Sequence, residues 1–310
     1  MAIARQALPP ALATQWAQMA HTLYLDALMA QTDWAVREIA FHGGTSLRLS
    51  WNSARYSEDL DFLLSKNVQG LDKVAAKVEA AMIEMAHRLD PNFNIEVRDK
   101  TKNIDRMSSY VVTVSHPNYV GKVKVKAEFW RTQPAYLDNY PTQLRTPHNP
   151  LGALDFLATA THAVPAATLE TAYADKLVAF ATRPYVKWRD LYDLWWIATQ
   201  TDAALNADSV CAQFLHNITA YETQGQAHPA QALMQFLHHD REALIAQADP
   251  DLKNWLPASI WKRLNPQGVE EIVDYVWHAL THVAGLVASR TEGRQAPRFN
   301  LKSAPRKRPN

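Results

Sequence analysis

Hydrophobic residues follow two periods along the chain, one typical of helices and one typical of strands. A period near 3.6 predicts amphipathic helices over residues 11–29, 68–89 and 168–183, and another helix beginning at residue 187. Alternating or β-branched runs predict strands over residues 59–64, 93–98, 110–115 and 121–130. Residues 39–41 fit the end of a helix or a short strand, and residues 45–51 fit the first turns of a helix.

These two kinds of pattern occupy different parts of the sequence. Strand-like segments end near residue 130, a proline-rich stretch fills residues 134–150, and the pattern beyond it is helical. The distribution predicts an α+β protein with a domain boundary near residue 145. We expect one domain over residues 1–145, a helical domain over residues 146–290, and a basic, disordered tail over residues 291–310.

Composition narrows the class of protein. Hydrophobic residues make up 47% and charged residues 20% of the 310 residues, an ordinary balance for a globular chain. The single cysteine, Cys211, excludes a disulfide framework and a thiolate zinc site. The N-terminus lacks a signal-peptide core and no hydrophobic run approaches the ~20 residues that span a bilayer, so we expect a cytoplasmic protein without membrane contact.

Two aspartates stand two residues apart in the strand predicted over residues 59–64. Side chains alternate faces along a strand, so Asp59 and Asp61 point the same way, while Leu60 and Phe62 point into a core. We expect the strand to include Ser57, whose side chain then lies on the face of the two aspartates. Adjacent carboxylates repel each other unless a cation lies between them, and this arrangement suits Mg²⁺ held against phosphates. The alternative is a solvated turn or a salt-bridged strand end.

A third carboxylate, Glu128, lies on the polar face of the strand over residues 121–130, together with Lys122, Lys124 and Lys126. If the two strands are neighbours, three carboxylates converge, as two-metal nucleotidyl transfer requires. The alternative for Glu128 is a cross-strand pair with Lys124 or Lys126. The net charge of only +1 gives no global sign of nucleic-acid binding, but the lysine face fits either a phosphate backbone or solvent.

A glycine turn precedes the aspartates. Gly43 and Gly44 allow the backbone to approach a ligand closely, and Thr45 and Ser46 add hydroxyl donors where a helix begins. These features favour phosphate binding. The alternative is an ordinary helix start that Thr45 or Ser46 caps.

One lysine interrupts the hydrophobic stripe of the helix over residues 168–183. Lys176 lies among its apolar positions and must reach solvent, pair with an acid or bind an anion. The functional interpretation is a phosphate-binding lysine, whose removal should weaken triphosphate binding without unfolding the protein. The alternative is a pair with Glu170 or Asp175.

In the next helix, Asp190 and Asp193 lie one turn apart on the same face. Arg189 can pair with Asp193 at helical spacing. Asp190 is therefore the better candidate to reach Lys176 or a substrate.

Four segments in this order resemble the AbiEii/AbiGii toxin family of nucleotidyltransferases, within the DNA polymerase beta-like superfamily. They are residues 43–47 (Gly-Gly-Thr-Ser-Leu), 55–62 (Arg-x-Ser-x-Asp-Leu-Asp-Phe), 170–177 (Glu-x-x-x-x-Asp-Lys-Leu) and 189–194 (Arg-Asp-Leu-Tyr-Asp-Leu). The first two are shared across the superfamily, and their combination with the last two is more specific. The similarity spans roughly residues 38–200, and residues 200–310 match no motif.

The resemblance implies a mixed-sheet nucleotidyltransferase core followed by a helical C-terminal domain. It also implies transfer from a nucleoside triphosphate with one or two Mg²⁺ ions, for which Mn²⁺ can substitute. The acceptor would be the 3′ end of an RNA such as tRNA. The protein would be the toxin of a toxin–antitoxin or abortive-infection system, with a cognate antitoxin as its partner.

The resemblance also assigns roles by position. Asp59 and Asp61 would bind metal, Lys176 would bind phosphate, and Asp190 would complete the catalytic site. Glu128 is the third carboxylate by strand alternation, because the family marks that position poorly.

The nucleotide-binding residues implied by the same resemblance lie around the glycine turn. Arg55 and Ser57 would brace the aspartates or contact phosphate. The triphosphate would be held by Gly43, Gly44, Thr45 and Ser46.

Three other functions stay open at this point. The acceptor of the nucleotide could be a protein side chain instead of RNA. An Asp-x-Asp glycosyltransferase shares the metal chemistry but requires neither the glycine turn nor Lys176. A non-catalytic module that binds RNA or a partner protein has no use for intact carboxylates.

Overall fold

The computed structural model describes residues 5–148, 161–203, 205–221 and 229–292, and within these ranges the chain forms eleven α-helices and nine strands. The helices are α1 (Pro10–Ala30), α2 (Gly43–Trp51), α3 (Leu71–Leu89), α4 (Pro134–Asp138), α5 (Leu169–Thr182), α6 (Trp188–Thr199), α7 (Ala207–Ile218), α8 (Pro229–Met234), α9 (Arg241–Leu252), α10 (Ala258–Leu264) and α11 (Gln267–Glu292). The strands are β1 (Gln6–Ala7), β2 (Ile39–His42), β3 (Asp59–Ser65), β4 (Asn94–Asp99), β5 (Met107–Ser115), β6 (Tyr119–Val120), β7 (Val123–Thr132), β8 (Thr142–Arg145) and β9 (Val164–Ala167).

The chain divides into two compact units. The first unit comprises residues 1–52 and 57–167, and the second comprises residues 53–56 and 168–310. The chain therefore leaves the first unit after α2, contributes four residues to the second, and returns two residues before β3. The predicted tail over residues 291–310 lies almost entirely outside the described residues.

A seven-stranded mixed sheet forms the first unit, in the order β4-β5-β7-β3-β2-β9-β8. The β3–β7 and β2–β9 pairs are parallel, and the other neighbours are antiparallel. One face packs against α1 and α3 through a continuous hydrophobic core. The α+β class and the mixed sheet predicted from the sequence are confirmed.

Three phenylalanines run across the buried face of this sheet. Phe41 on β2 lies opposite Phe62 on β3, and Phe62 lies opposite Phe129 on β7. The rings of Phe62 and Phe129 stack with centroids 4.7 Å apart. Since neighbouring side chains alternate faces, this aromatic row directs the residues beside it to the opposite face of the sheet.

Two strands of the sheet follow the last strand that the sequence predicts, and β9 lies inside the domain expected to be helical. The strands β8 and β9 pair with each other, and β9 joins β2 at the Phe41–Ala166 position. Pro165 lies inside β9 and proline lacks the N–H that a ladder needs, so the sequence gives no strand signal there. The first unit accordingly ends at residue 167 and not near residue 145.

Helices α5–α11 form the second unit, as the helical pattern predicts. The Thr168 side chain accepts a hydrogen bond from the Thr171 N–H and caps α5. The buried Trp188 indole donates to the Leu244 carbonyl at 2.8 Å, and the hydroxyls of Tyr173 and Tyr275 are hydrogen-bonded at 2.8 Å. Among the described residues, no helix combines the length and hydrophobicity needed to cross a membrane.

Candidate functional site

The paired aspartates lie at the start of β3. Its buried face carries Leu60 and Phe62, so Asp59 and Asp61 project from the opposite face, where both are half-buried. Ser57 lies two residues before the strand, because the ladder with β7 begins at Asp59; the prediction that Ser57 shares this strand is wrong.

Strand β7 brings the third predicted carboxylate to the same face. In the parallel β3–β7 register, Asp61 lies opposite Glu128 and Asp59 lies opposite Lys126. The Lys126 ammonium forms an ion pair with Glu128 at 2.9 Å. Both residues belong to β7, so the pair between Glu128 and a lysine forms within one strand. The alternative stated above expected such a pair across two strands. We call Asp59, Asp61 and Glu128 the acidic face.

The charges on this face influence one another. Burial and the neighbouring carboxylates of Asp61 and Glu128 raise the pKa of Asp59, although Lys126 acts in the other direction. The hydrogen bond to Glu128 raises the pKa of Lys126, with Asp59 and Asp61 adding to the effect. The face therefore carries three acids and one internal cation, and it favours additional positive charge.

Metal binding at this face depends on the distances between its carboxylates. Within the ranges that the structure describes, no three His, Cys, Asp or Glu side chains form a group that could hold a metal ion by themselves. Mg²⁺ commonly uses one or two protein carboxylates and completes its shell with substrate phosphates and water. The hard oxygen donors of the acidic face fit that ion, with the remaining ligands coming from outside the protein.

The glycine turn, Gly43 and Gly44, directly follows β2 as the start of α2 and lies against the acidic face. Gly43 has φ +77, in the left-handed region that glycine favours. A Cβ atom at this position would lie 2.5 Å from Oδ2 of Asp61, so the Asp61 carboxylate would have to move away. His42, the residue before the helix, gives the first turn no side-chain cap. The predicted helix start beside the aspartates is confirmed, but α2 begins at Gly43 and not at Thr45, so the two glycines belong to its first turn.

The hydroxyls of this turn are used inside the protein. Thr45 is fully buried and its Oγ1 donates to the Asp59 carbonyl oxygen. Ser46 is also buried, and its hydroxyl donates to the Phe41 carbonyl at 3.1 Å. Neither hydroxyl caps α2, and both are directed at backbone carbonyls and not at a ligand.

The second unit contains a network of five charged side chains. Arg55 forms a two-point ion pair with Asp193, at 2.7 Å from Nε and 2.8 Å from Nη2. Lys176 bridges the two aspartates, at 2.9 Å from Asp190 and 2.8 Å from Asp193. Arg183 pairs with the other oxygen of Asp190. We call these residues the ion cluster.

Because the ion cluster is largely buried, each of its charges depends on the others for stabilisation. Asp193 is fully buried and Arg55 is 3% exposed, so their charges require partners within the protein. Burial alone would lower the pKa of Lys176, but the carboxylates of Asp190 and Asp193 outweigh it and raise that pKa. Burial alone would raise the pKa of Asp190, but Lys176 and Arg183 lower it. Three cations face two carboxylates, which leaves one positive charge in excess.

These contacts revise the interpretation of Lys176. It pairs with Asp190, as expected for that aspartate, and not with Asp175 as the alternative proposed; Asp175 accepts a hydrogen bond from Asn217 at 2.7 Å. Because Lys176 neutralises two buried acids, its removal should also destabilise the protein, contrary to the expectation from the sequence.

Asp193 is the residue whose importance the sequence understates. Its spacing suggested a pair with Arg189, but the Arg189 guanidinium lies over the Trp255 ring at 3.9 Å. Asp193 instead binds Arg55, 138 residues earlier in the chain. The Arg-Asp-x-x-Asp spacing was a signal for Asp193, while no local pattern marks Arg183.

Comparisons with known proteins identify the family. Residues 8–259 match the family model described as "Nucleotidyl transferase AbiEii toxin, Type IV TA system". No curated protein gives a significant match to the sequence.

Solved structures support the fold. JHP933 from Helicobacter pylori is 18% identical, with a TM-score of 0.51 over 93% of this chain and 96% of its own. MenT4, a nucleotidyltransferase toxin from Mycobacterium tuberculosis H37Rv, is 20% identical, with a TM-score of 0.54 over 87% of this chain and 85% of its own. At these identities the likeness establishes a shared architecture.

Proposed function

The chain belongs to the AbiEii family of nucleotidyltransferase toxins, and on that premise we propose that it transfers a nucleoside monophosphate from an NTP to the 3′ end of an RNA, with tRNA as the acceptor. A type IV toxin–antitoxin system implies a cognate antitoxin. We expect the reaction to take place in the cytoplasm, where NTPs and RNA are present. Family membership supports nucleotidyl transfer over the glycosyltransferase and non-catalytic alternatives.

The observation that carries this proposal is the register between β3 and β7. It sets Asp61 opposite Glu128 with Asp59 two residues away, so that three acids lie on one face of two adjacent strands. Mg²⁺ bound there would lower the pKa of the acceptor hydroxyl and neutralise the phosphates. The hydroxyl oxygen would bond to the α-phosphorus and release its proton to solvent, while the bond from the α-phosphorus to the α–β bridging oxygen breaks and pyrophosphate leaves.

The glycine turn supplies the complementary contacts to the triphosphate. The first N–H groups of a helix have no partners within the helix, and its dipole favours anions. Since the Thr45 and Ser46 hydroxyls bind backbone carbonyls, we assign the phosphate contacts to the main chain of Gly43 and Gly44. This modifies the side-chain contacts that the family resemblance implied.

The substrate-binding roles of Lys176 and Asp190 stay predictions. The excess positive charge of the ion cluster supports a phosphate-binding role for Lys176, whose side chain is 12% exposed. Asp190 contributes by holding Lys176 and Arg183 in place.

A labelling experiment tests the proposal. The purified protein is incubated with Mg²⁺, total RNA, a mixture of proteins and each labelled NTP in turn. We expect label in RNA, its loss with Asp61→Asn, and its retention with Asp105→Asn, a matched change of an exposed acid between β4 and β5. Label in protein alone would redirect the proposal to protein nucleotidylation, and label in neither would contradict it.

A further inference from the structure

Two side chains from different helices form hydrogen bonds with consecutive carbonyl groups at the start of β3. Nε2 of His21, on α1, lies 2.8 Å from the Glu58 carbonyl oxygen. Oγ1 of Thr45, on α2, donates to the Asp59 carbonyl oxygen. A carbonyl can only accept a hydrogen bond, so Nε2 carries the hydrogen and the imidazole is a donor here.

The sheet explains why these donors are needed. Strand β2 pairs with β3 only from Ile39–Leu64 to His42–Asp61, after which the chain turns into α2. Beyond Asp61, no β2 residue continues the ladder towards the start of β3. Buried carbonyls require partners, and the Thr45 hydroxyl supplies one where a strand would otherwise do so.

Both donors are enclosed by the protein. Thr45 is 0% exposed and His21 is 1% exposed, so neither is placed to meet a nucleotide from solvent. Their contacts to β3 are backbone contacts, which fix the path of the main chain irrespective of the side chains that it carries.

The glycine turn makes a second contact with the same strand. The absent side chain of Gly43 allows the turn to lie against the Asp61 carboxylate, two residues before Thr45 holds the Asp59 carbonyl. The first turn of α2 is thus hydrogen-bonded to β3 at Thr45 and lies close against it at Gly43. These contacts fix the position of the proposed phosphate-binding main chain of Gly43 and Gly44 relative to the proposed metal-binding strand.

We propose that Thr45 and His21 are positioning residues, whose hydrogen bonds to the Asp59 and Glu58 carbonyls set the directions of the Asp59 and Asp61 carboxylates relative to the glycine turn. This inference rests on the metal-binding role proposed for those two acids. A displacement of about 1 Å in such a constellation costs on the order of a hundredfold in rate.

The test for Thr45 compares two variants. Thr45→Val keeps the shape but removes the donor, whereas Thr45→Ser keeps the donor. We expect Thr45→Val to lower kcat by about a hundredfold with KM for the NTP within about threefold of wild type, and Thr45→Ser to restore most of kcat. A large rise in KM with unchanged kcat would show that the hydroxyl binds substrate and would overturn the proposal.

Thr22→Val is the matched control. The Thr22 hydroxyl is also buried and also donates to a backbone carbonyl, that of Gln18 at 3.2 Å, but within α1. Hydrogen exchange of the β3 amides supplies a readout independent of activity. We expect faster exchange in Thr45→Val and no change in Thr22→Val; equal exchange and equal kcat in both would refute a positioning role.

His21 tests the same idea if Thr45→Val fails to fold. Gln places an amide donor near the position of Nε2, and Phe fills the space without a donor. We expect His21→Phe to lower kcat at constant KM and His21→Gln to recover it. Equal activity of the two variants would contradict the proposal.

Asp61→Asn in the same series separates this inference from the proposed function. An inactive Asp61→Asn beside a fully active Thr45→Val overturns only the positioning role. A fully active Asp61→Asn overturns the proposed metal-binding site, and the inference with it.

Discussion

The acidic face groups three carboxylates, of which Glu128 pairs with Lys126, whereas in the ion cluster two carboxylates pair with three cations. The acidic face is half-buried and groups three acids, and burial together with the neighbouring carboxylates raises the pKa of Asp59. Both carboxylates of the ion cluster are buried and bound by direct ion pairs, and the cluster keeps one positive charge in excess. Residues of the first set should therefore matter mainly for ligands, and those of the second for both stability and ligands.

The largest expected effect is the loss of activity in Asp61→Asn. The change removes a charge from the acidic face while keeping the side-chain shape. We expect kcat to fall by at least about a thousandfold, equivalent to ~4 kcal/mol of transition-state stabilisation. The melting temperature should stay equal or rise, because repulsion among the acids decreases.

Steady-state labelling and a thermal melt of the same preparation check this prediction. Asp105→Asn should behave like wild type in both measurements. If Asp61→Asn keeps its activity, or loses it only through unfolding, the proposed difference between the acidic face and the ion cluster is contradicted.

The next effect is on stability, in Asp193→Asn. This change leaves the buried guanidinium of Arg55 and the ammonium of Lys176 with a weaker partner. We expect the free energy of unfolding, measured by urea denaturation, to decrease by about 3 kcal/mol.

Asp249→Asn is the control for this prediction. Asp249 pairs with Lys253 at the surface of α9, where both side chains are more than half exposed. Its loss should cost less than about 1 kcal/mol. Equal decreases in the free energy of unfolding would show that losing a buried partner in the ion cluster costs no more than losing an exposed one.

A pH dependence follows from His21, which lies in the first unit beside the start of β3. Burial lowers the pKa of His21 to about 4 from 6.5, with a smaller contribution in the same direction from Arg48 and an opposing one from the Glu58 carbonyl. The unfolded chain therefore binds a proton between pH 6.5 and 4 that the folded chain does not. The contribution of His21 to stability is complete above pH 6.5 and is lost as the pH falls towards 4, by about 3 kcal/mol in all.

Urea denaturation from pH 7 to pH 4 measures this slope. His21→Gln retains a donor but does not titrate, so its stability should decline less steeply over the same range. Parallel curves for wild type and variant would rule out His21 as the titrating group.

The smallest expected effect concerns Lys126. Its ammonium compensates Glu128 in the absence of an added cation, so Lys126→Met should raise the affinity for Mn²⁺ by about threefold to fivefold, near 1 kcal/mol. Lys124→Met, on the same face but opposite Thr113, is the control and should change the affinity less. A decrease in affinity with Lys126→Met would indicate that the lysine supports the cation site.

Local patterns predicted much of the first unit correctly. Alternation identified β3 and β7 and assigned their acids to one face, and the glycine pair identified the turn into α2. Helix α3 begins at Leu71, three residues later than predicted, because Gly70 has a left-handed φ of +71 and precedes the first turn. Strand β9 escaped prediction because Pro165 contradicts strand propensity while neighbouring strands still pair with it.

Contacts between distant residues could not be predicted in this way. The Thr45 hydroxyl was expected to meet phosphate, but its partner is a carbonyl 14 residues later. Asp193 was expected to pair within its helix, but binds Arg55 and Lys176. Periodicity fixes the face on which a side chain lies, while the choice among possible partners depends on the packing of whole elements.

The binding of Mn²⁺ to the acidic face tests the central claim most directly. Electron paramagnetic resonance of free Mn²⁺, in the presence of a non-hydrolysable NTP analogue, counts the bound ions in wild type, Asp61→Asn and Asp105→Asn. We predict binding to wild type and Asp105→Asn, with affinity at least about tenfold lower in Asp61→Asn. Equal Mn²⁺ affinity in all three proteins would contradict the assignment of the acidic face as the site of nucleotidyl transfer.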